Sequence, residues 1–578
     1  MDRVLAFISC VCLLALPACG DDDGTSLDRG DASPDATTPD AGALPDTGPP
    51  GDAGSPVPDD VCARLDLPRD GFDADADGLV FGEPAGDFTV TELDGSTWNL
   101  REEWTGCESF VFLIYFPSTY GDALFSTVPE PLVDRSPENA HFFLTSYEES
   151  EADRRATMER MSAALEEGFD FLEWTDEQRE AARERVHFVV DRVDQIEGSV
   201  GPFVTDYIEY MQDSDNRVDL GDRGLIRPPA PFVFGIDREQ RWDAGGSLDE
   251  FVGGEPRLSM AAYLPHFYDH RAALRHRLEG EEGVEEIVVL DEDVTDRVLT
   301  REVTLPDAET MAAFDTLEID VAVNCPHRSP FACSEWDRIA RIELCLDEGC
   351  EERRELVRWI TPYWRRGLRR WALDASPLLG LLREGGAQTL RVVMGPEWER
   401  ATERHARVAL RLSERGGPRA IGAALAFRGG NLDASYNERE PFAFTPPEGA
   451  TRVELVTILS GHGQAEGTNC AEWCDHRHRF RVDGTDLEEI ASGPGIGSAR
   501  GCAELAAEGV PPGQWGNWAP QRAYWCPGLP VTPQRVDITD HVTPGSESTL
   551  EYAARYRTEA PDGAGGNVDL SAYVVWYE

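Results

Sequence analysis

The chain has 578 residues, too many for one ordinary domain, so three or more units are expected. Its formal charge is −55, from 108 acidic against 53 basic residues, and with no lysine present every base is arginine. That excess argues strongly against nucleic acid as a ligand. Residues 20–60 hold eleven Asp and one Arg and so supply only −10 of the total, which makes the acidity global and uninformative about substrate.

In chain order, Arg3 precedes an apolar run from Val4 to Leu16 that closes on Leu16-Pro17-Ala18-Cys19. The run is too short to span a bilayer and has the form of a signal peptide over 1–18. Its ending resembles a bacterial lipobox, which implies a lipidated Cys19, export, and anchoring to a bacterial membrane without a spanning helix. Residues 19–60, rich in Asp, Pro, Gly, Ala and Thr, read as a disordered acidic tether. Asp73-Ala-Asp75-Ala-Asp77-Gly78 alternates as a calcium loop does, but the twelfth position is Pro84 rather than a bidentate Glu, so a solvated acidic turn is expected.

Residues 61–275 read as an α/β unit. Asp87-Phe-Thr-Val-Thr-Glu-Leu is strand-like, Phe110 to Phe116 is a buried-strand run, and Pro231 to Asp237 is a further strand. Helical periodicity runs from Glu148 to Glu167 and from Thr175 to Val190. The Gly-Asp-Phe-Thr opening, the apolar strand running into a loop, and the proline-led strand resemble the thioredoxin and peroxiredoxin family. That family places its reactive thiol just after the first long apolar strand. Here the stretch is Pro117-Ser118-Thr119-Tyr120-Gly121, and Cys107 lies before the strand. Without a thiolate there is no thiol–disulfide exchange, so this domain is expected to be a spacer or binding module, with Pro231 a candidate cis-proline.

From about 283 the texture becomes short Val/Ile/Leu/Thr strands between Gly/Pro/Asp turns, among them Glu286–Leu290, Leu317–Val323, Ile339–Leu346, Leu390–Met394 and Ala406–Leu412. Beyond 414 the pattern resumes with Thr451–Leu459, His478–Val482 and Tyr573–Tyr577. Two antiparallel β-sandwiches, 283–413 and 414–578, fit this spacing better than one large sheet.

Ten cysteines follow Cys19, an even number, which in an exported chain reads as disulfides. Proximity in sequence suggests Cys325 with Cys333, Cys345 with Cys350, Cys470 with Cys474, and Cys502 with Cys526, leaving Cys62 with Cys107. Zinc on Cys470, Cys474, His476 and His478 is the rival, but four ligands within nine residues leave little room for a supported tetrahedral shell. Neither metal nor cofactor is therefore expected.

Two carboxylates carry the functional argument. Glu472 lies inside Cys470-Ala-Glu-Trp-Cys474, and Asp337 ends the run Cys333-Ser-Glu-Trp-Asp-Arg338. Acid–base chemistry needs carboxylates in different environments, and tryptophan faces are surfaces on which sugars stack. Taken with Trp359-Ile-Thr-Pro-Tyr-Trp364, Ser460-Gly-His-Gly463 and Gly516-Asn-Trp-Ala-Pro-Gln-Arg522-Ala-Tyr-Trp525-Cys526-Pro-Gly528, these segments in this order and spacing resemble the peptide-N-glycosidase F family over about 285–578.

The resemblance implies two eight-stranded antiparallel jelly rolls with an active site in the cleft between them. It implies an amidase that removes N-linked glycans from asparagine in glycoproteins or glycopeptides, with Asp337 essential and Glu472 supporting. Arg338 and Arg522 would hold the substrate and the neighbouring carboxylate, and Trp336, Trp398 and Trp525 would wall the sugar site. Two departures stand out. A further family glutamate precedes a tryptophan by two residues, whereas here Glu397 directly precedes Trp398, so Glu397 is the carried-over candidate. Where the family has an aromatic residue in a Ser-Gly-Trp-Gly turn, this chain has His462. His476 and His478 read as strand-surface residues, and Trp359 and Trp364 as core or interface packing.

Overall fold

The computed structural model describes residues 61–212, 233–245, 258–325, 336–363, 367–399, 403–463, 471–492, 496–514, 517–556, 558–561 and 566–578. The expected signal peptide with Cys19, the tether, Pro231, Cys333, Trp364 and Cys470 lie outside them. Among the described residues, no helix is long and apolar enough to cross a membrane.

The front half is built on a five-stranded sheet. Its first strand, β1 (Ser109–Tyr115), is buried along its whole length, as an unbroken apolar run must be when both sheet faces are covered. It runs parallel to β2 (Ala140–Ser146), which in turn pairs in parallel with β3 (Val186–Arg192). On its other side β1 meets β4 (Val233–Ile236) and then β5 (Trp242–Ala244), both antiparallel, so the order is β3-β2-β1-β4-β5. The period-2 alternation divides β1 between two cores. Val111, Leu113 and Tyr115 face helix α1 (Glu151–Phe171), while Phe110, Phe112 and Ile114 face the other way.

A capping box on Thr175 starts helix α2 (Asp176–Arg183). The helix expected over Thr175–Val190 therefore ends early: Val186-His-Phe-Val-Val is β-branched and aromatic, and pairing with the buried β2 wins over helical periodicity. Helix α3 (Val200–Gln212) covers the second core through Val200, Phe203 and Val204. Helix α4 (Tyr263–Gly280) lies over the first core and carries the chain to the β-rich half. Phe88–Thr91 is a strand, but it belongs to a separate three-stranded sheet with Thr97–Asn99 and Glu197–Gly198.

Eight strands follow: β6 (Glu285–Val294), β7 (Val298–Asp307), β8 (Thr316–Cys325), β9 (Ile339–Cys345), β10 (Arg353–Ile360), β11 (Gly367–Asp374), β12 (Gly385–Val393) and β13 (Arg404–Ser413). They form two antiparallel sheets, β7-β12-β9-β10 and β11-β8-β13-β6, that close on one core. Leu299, Ile342 and Leu390 of one sheet meet Ile319, Val408 and Leu410 of the other.

The pattern repeats in β14 (Ala420–Asn431), β15 (Phe442–Phe444), β16 (Arg452–His462), β17 (His476–Val482), β18 (Thr485–Asp486), β19 (Gln534–Asp537), β20 (Ser548–Tyr556) and β21 (Asn567–Tyr577). Their sheets are β14-β21-β16-β19 and β15-β20-β17-β18, the latter with the two-residue strand Ile490–Ala491 also paired to β17, again antiparallel throughout.

Where the two sandwiches meet, Val456, Ile458, Tyr573 and Val575 of the second join the core of the first. Beside them lies a buried polar knot. Arg358 on β10 pairs with Glu355 at 2.7 Å and with Asp569 on β21 at 3.0 Å, and also donates to Ser460 Oγ at 2.8 Å. Arg341 on β9 reaches Asp569 at 2.5 Å. Between these two guanidinium groups the Asp569 carboxyl is held far below its ordinary range despite its burial.

Cys345–Cys350 and Cys502–Cys526, expected from their spacing, and Cys62–Cys107, expected as the remaining pair, are disulfides. Cys325 and Cys474 are also disulfide-bonded. The Cys345–Cys350 bridge staples the β9–β10 hairpin.

Candidate active site

Asp337 lies just before β9, and its backbone is pinned to the end of β10. Arg338 N–H donates to Thr361 Oγ1 at 2.9 Å, and Thr361 N–H donates back to the Arg338 carbonyl at 2.9 Å. Glu472 sits in the segment after β16. Its backbone N–H donates to the Gly463 carbonyl at 3.0 Å, and its Oε2 accepts from Gly463 N–H at 2.8 Å. The fit depends on glycine at 461, where a Cβ would lie 1.8 Å from the Ala471 carbonyl oxygen. The sequence thus brings together two segments distant in the chain by pairing strand ends and by leaving out one side chain.

Arg522 joins the two carboxylates. Its side chain is fully buried, with Nε 3.1 Å from Glu472 Oε1 and Nη2 3.7 Å from Asp337 Oδ2. Nη2 also donates to Tyr363 Oη at 3.1 Å and to the Asn517 carbonyl, and Nη1 donates to the Pro520 carbonyl at 3.0 Å. Its Cζ stands 4.5 Å from the Trp473 ring centroid and 4.8 Å from that of Trp525. A planar cation with this many fixed partners presents a rigid field to both carboxylates.

The carboxylates border an open cleft of about 440 Å³, lined among others by Arg338, Arg341, His462 and Trp525. Burial raises the Glu472 carboxyl and Asp337 adds to the rise; Arg522 opposes both and does not overcome them. Tyr363 is pushed far up by burial and then by Asp337, so its hydroxyl keeps its proton.

His462 occupies the expected turn. Its ring stacks on Trp525 with centroids 4.9 Å apart and shares a 2.8 Å hydrogen bond with Ser460 Oγ. Burial and then the nearby Arg358 push it down to about 3, so it is neutral at any pH near 7.

Other expected residues fall on or beyond the rim. Trp336, 49% exposed, lies 6.4 Å from the Tyr363 ring, and Trp398, 76% exposed, covers the Arg338 guanidinium at 4.9 Å. Glu397 points to solvent, its side chain 76% exposed and 3.8 Å from Arg391. The carboxylate that meets Arg338 is instead Glu399, at 3.1 Å, which also pairs with Arg297 at 3.5 Å. Glu399 was legible only as the second glutamate of Glu-Trp-Glu, and Tyr363 only as a member of the Trp359–Trp364 motif.

His476 and His478 are not strand-surface residues. Both are fully buried on β17, because the inward positions of that strand are bridged by hydrogen bonds rather than left polar and unpaired. His476 Nε2 meets the Ala471 carbonyl at 2.7 Å and its Nδ1 meets His478 Nε2 at 2.9 Å; His478 Nδ1 meets Tyr552 Oη at 2.7 Å. This fixes the tautomers, since His476 must donate to a carbonyl, and it anchors the segment that carries Glu472. Trp359 is core, as expected.

A family model described as peptide-N-glycosidase F, C terminal, matches residues 432–575. The chain is 27% identical over 282 residues to peptide-N(4)-(N-acetyl-beta-D-glucosaminyl)asparagine amidase F of Elizabethkingia miricola, covering 45% of this chain and 73% of that relative. Among solved structures, PNGase F from Flavobacterium meningosepticum, called a glycosylasparaginase, aligns at TM-score 0.40 and 21% identity, covering 51% of this chain and 96% of its own. PNGF-II aligns at TM-score 0.42 and 11% identity, covering 53% of this chain and 67% of its own. On the family model and the curated relative, the C-terminal part of this chain is similar to the peptide-N-glycosidase F family.

Proposed function

We propose that the chain hydrolyses the amide between an asparagine side chain and the first N-acetylglucosamine of an N-linked glycan. Water adds to the amide carbonyl, the C–N bond breaks, and the nitrogen leaves as a protonated glycosylamine that later loses ammonia. Aspartate remains in the peptide. The observation that carries this reading is one buried guanidinium, Arg522, set behind Asp337 and Glu472, which border an open cleft.

Asp337 takes the reacting centre, as hydrogen-bond partner and proton carrier at the linkage. Glu472, raised by burial, orients and activates the water. Arg522, with Arg338 nearby, offsets the negative charge that develops on the carbonyl oxygen. The neutral His462, backed by the buried Trp525 on which it stacks, supplies a ring face at the cleft for a sugar. Trp336 and Trp398 extend that surface outward.

The architecture proposed around this site is a pair of jelly rolls, 283–413 and 414–578. Counted within each sandwich, with the two-residue strand Ile490–Ala491 set aside, strand orders 2-7-4-5 and 6-3-8-1 occur in the first and recur in the second, which supports that reading. For 61–275 a thioredoxin-like domain without a reactive thiol is supported by the β2-β1-β4-β5 arrangement and by Ser118, which caps the helix after β1 where a thiol would stand. Cys107 is engaged with Cys62. Export and lipid anchoring through Cys19 rest on the N-terminal sequence alone.

The test is release of glycan from a denatured N-glycoprotein. Asp337→Asn is expected to lower release by about 10²-fold or more with an unchanged circular dichroism spectrum. Failure of the unmodified protein on several glycan types, with glycopeptide binding retained, would replace hydrolysis by binding.

A further inference from the structure

The substrate-side machinery lies entirely in the two sandwiches, yet the loop that fixes Arg522 shares a core with the front half. Trp518, Ala519, Cys502, Ala503, Ala506 and Val510 are buried in one cluster with Tyr263, Leu264 and Phe267 of α4. The contact is close. Gly509, the left-handed residue (φ +112°) that ends the short helix Ala503–Glu508, sits so near α4 that a Cβ there would lie 2.8 Å from His270 Nε2. His270 also bonds the backbone of Ala507.

From that helix the connection to Arg522 is continuous. Cys502 N–H and Ala503 N–H both donate to the Ala519 carbonyl, at 2.9 and 3.3 Å, and Gln521 N–H donates to the Ser498 carbonyl at 3.1 Å. The Cys502–Cys526 disulfide closes the same segment from its far side. The stretch so held supplies the Asn517 and Pro520 carbonyls that accept from the Arg522 guanidinium.

We infer that α4 is an intramolecular buttress for Arg522, and that Phe267 is a positioning residue that keeps this guanidinium over Glu472 and Asp337. Packing within one core cluster, together with the His270 contacts to Ala507 and Gly509, carries the effect without any second conformation. Arg522 has no slack of its own to absorb a shift of Asn517 or Pro520, because its remaining donors are committed to Tyr363 and Glu472. The front half then serves this site mechanically.

The effect is readable at Glu472. Among the described residues, the charged and titratable groups facing it are Arg522, Asp337 and the protonated Tyr363, with the Gly463 N–H on its other oxygen. Of these Arg522 hangs from the buttressed segment, and together with the Gly463 N–H it draws the Glu472 carboxyl down. Loosening it should let that carboxyl rise further.

The experiment follows the Glu472 carboxyl by ¹³C NMR in full-length protein labelled on glutamate, the signal being identified by its loss in Glu472→Gln. Phe267→Ala is expected to raise the titration midpoint by about half a pH unit, equivalent to roughly a threefold change in the ionisation constant. Phe267→Leu should restore it. Val204→Ala, in the core on the opposite face of the sheet, should lower the melting temperature and leave the midpoint unmoved. A midpoint unmoved by Phe267→Ala, or moved equally by Val204→Ala, would overturn the buttress.

The acid limb of kcat/KM for glycan release should move with the midpoint, and this second readout rests on the amidase reading. If the unmodified protein releases no glycan, the amidase reading fails, and the titration still decides the role of α4.

Discussion

Burial and the neighbouring Asp337 push the Glu472 carboxyl up, and Arg522 only partly offsets them. Its folded-state value therefore lies above its unfolded one, and the folded protein holds more protons between the two. Stability then falls as pH rises through that window, and the cost is fully present once pH exceeds the folded-state value. Glu472→Gln should remove the cost while abolishing release. Urea denaturation is expected to show the variant more stable than the parent at pH 8, by about 1 kcal/mol or less, with the two converging near pH 4. A Gln variant less stable at pH 8 would mean that the bond to Arg522 outweighs the desolvation of Glu472. The identity of this residue was readable from its Cys-Ala-Glu-Trp-Cys setting. Its raised carboxyl was not, because burial and the approach of Asp337 arise only when two distant segments meet.

Strand β10 joins the two sandwiches through Arg358, whose partners Glu355 and Asp569 are otherwise buried carboxylates. Removing a single partner of such a group leaves uncompensated charge in a low-dielectric interior. Arg358→Met is expected to cost about 3–5 kcal/mol in urea denaturation. Arg64→Ala, which breaks the Arg64–Glu138 pair with side chains 43% and 58% exposed, should cost no more than about 0.5 kcal/mol. Equal effects would show that the knot is solvated or replaceable. At this scale the sequence was a good guide wherever a strand alternates or runs apolar, as in β1, β8 and β16. It misled at Val186–Val190, where pairing to β2 overrode a helical pattern, and at His476 and His478, where a polar residue type concealed buried positions. It was silent on Arg358 and Glu399, since a charged residue in a chain this acidic looks like surface until its partners are placed.

Over the whole molecule, 108 acidic residues face 53 arginines, so at least half of the carboxylates have no cation of their own. Several of the buried arginines are committed to specific carboxylates: Arg358 to Glu355 and Asp569, Arg522 to Glu472, Arg411 to Glu281 and Glu286. The uncompensated charge therefore lies outward, where it repels itself across distances that salt can screen. The Debye length falls from about 30 Å at 0.01 M to about 3 Å at 1 M. Screening should relieve the surface repulsion and leave the buried pairs nearly untouched. Urea is uncharged and permits ionic strength to be varied freely, so the unfolding midpoint is expected to rise steadily between about 0.01 and 0.5 M NaCl. The gap between the parent and Arg358→Met should stay constant across that series, because the knot lies where ions do not reach. A midpoint that is flat or falls with salt would place the net stabilisation in exposed ion pairs, whereas a gap that closes with salt would place Arg358 in contact with solvent.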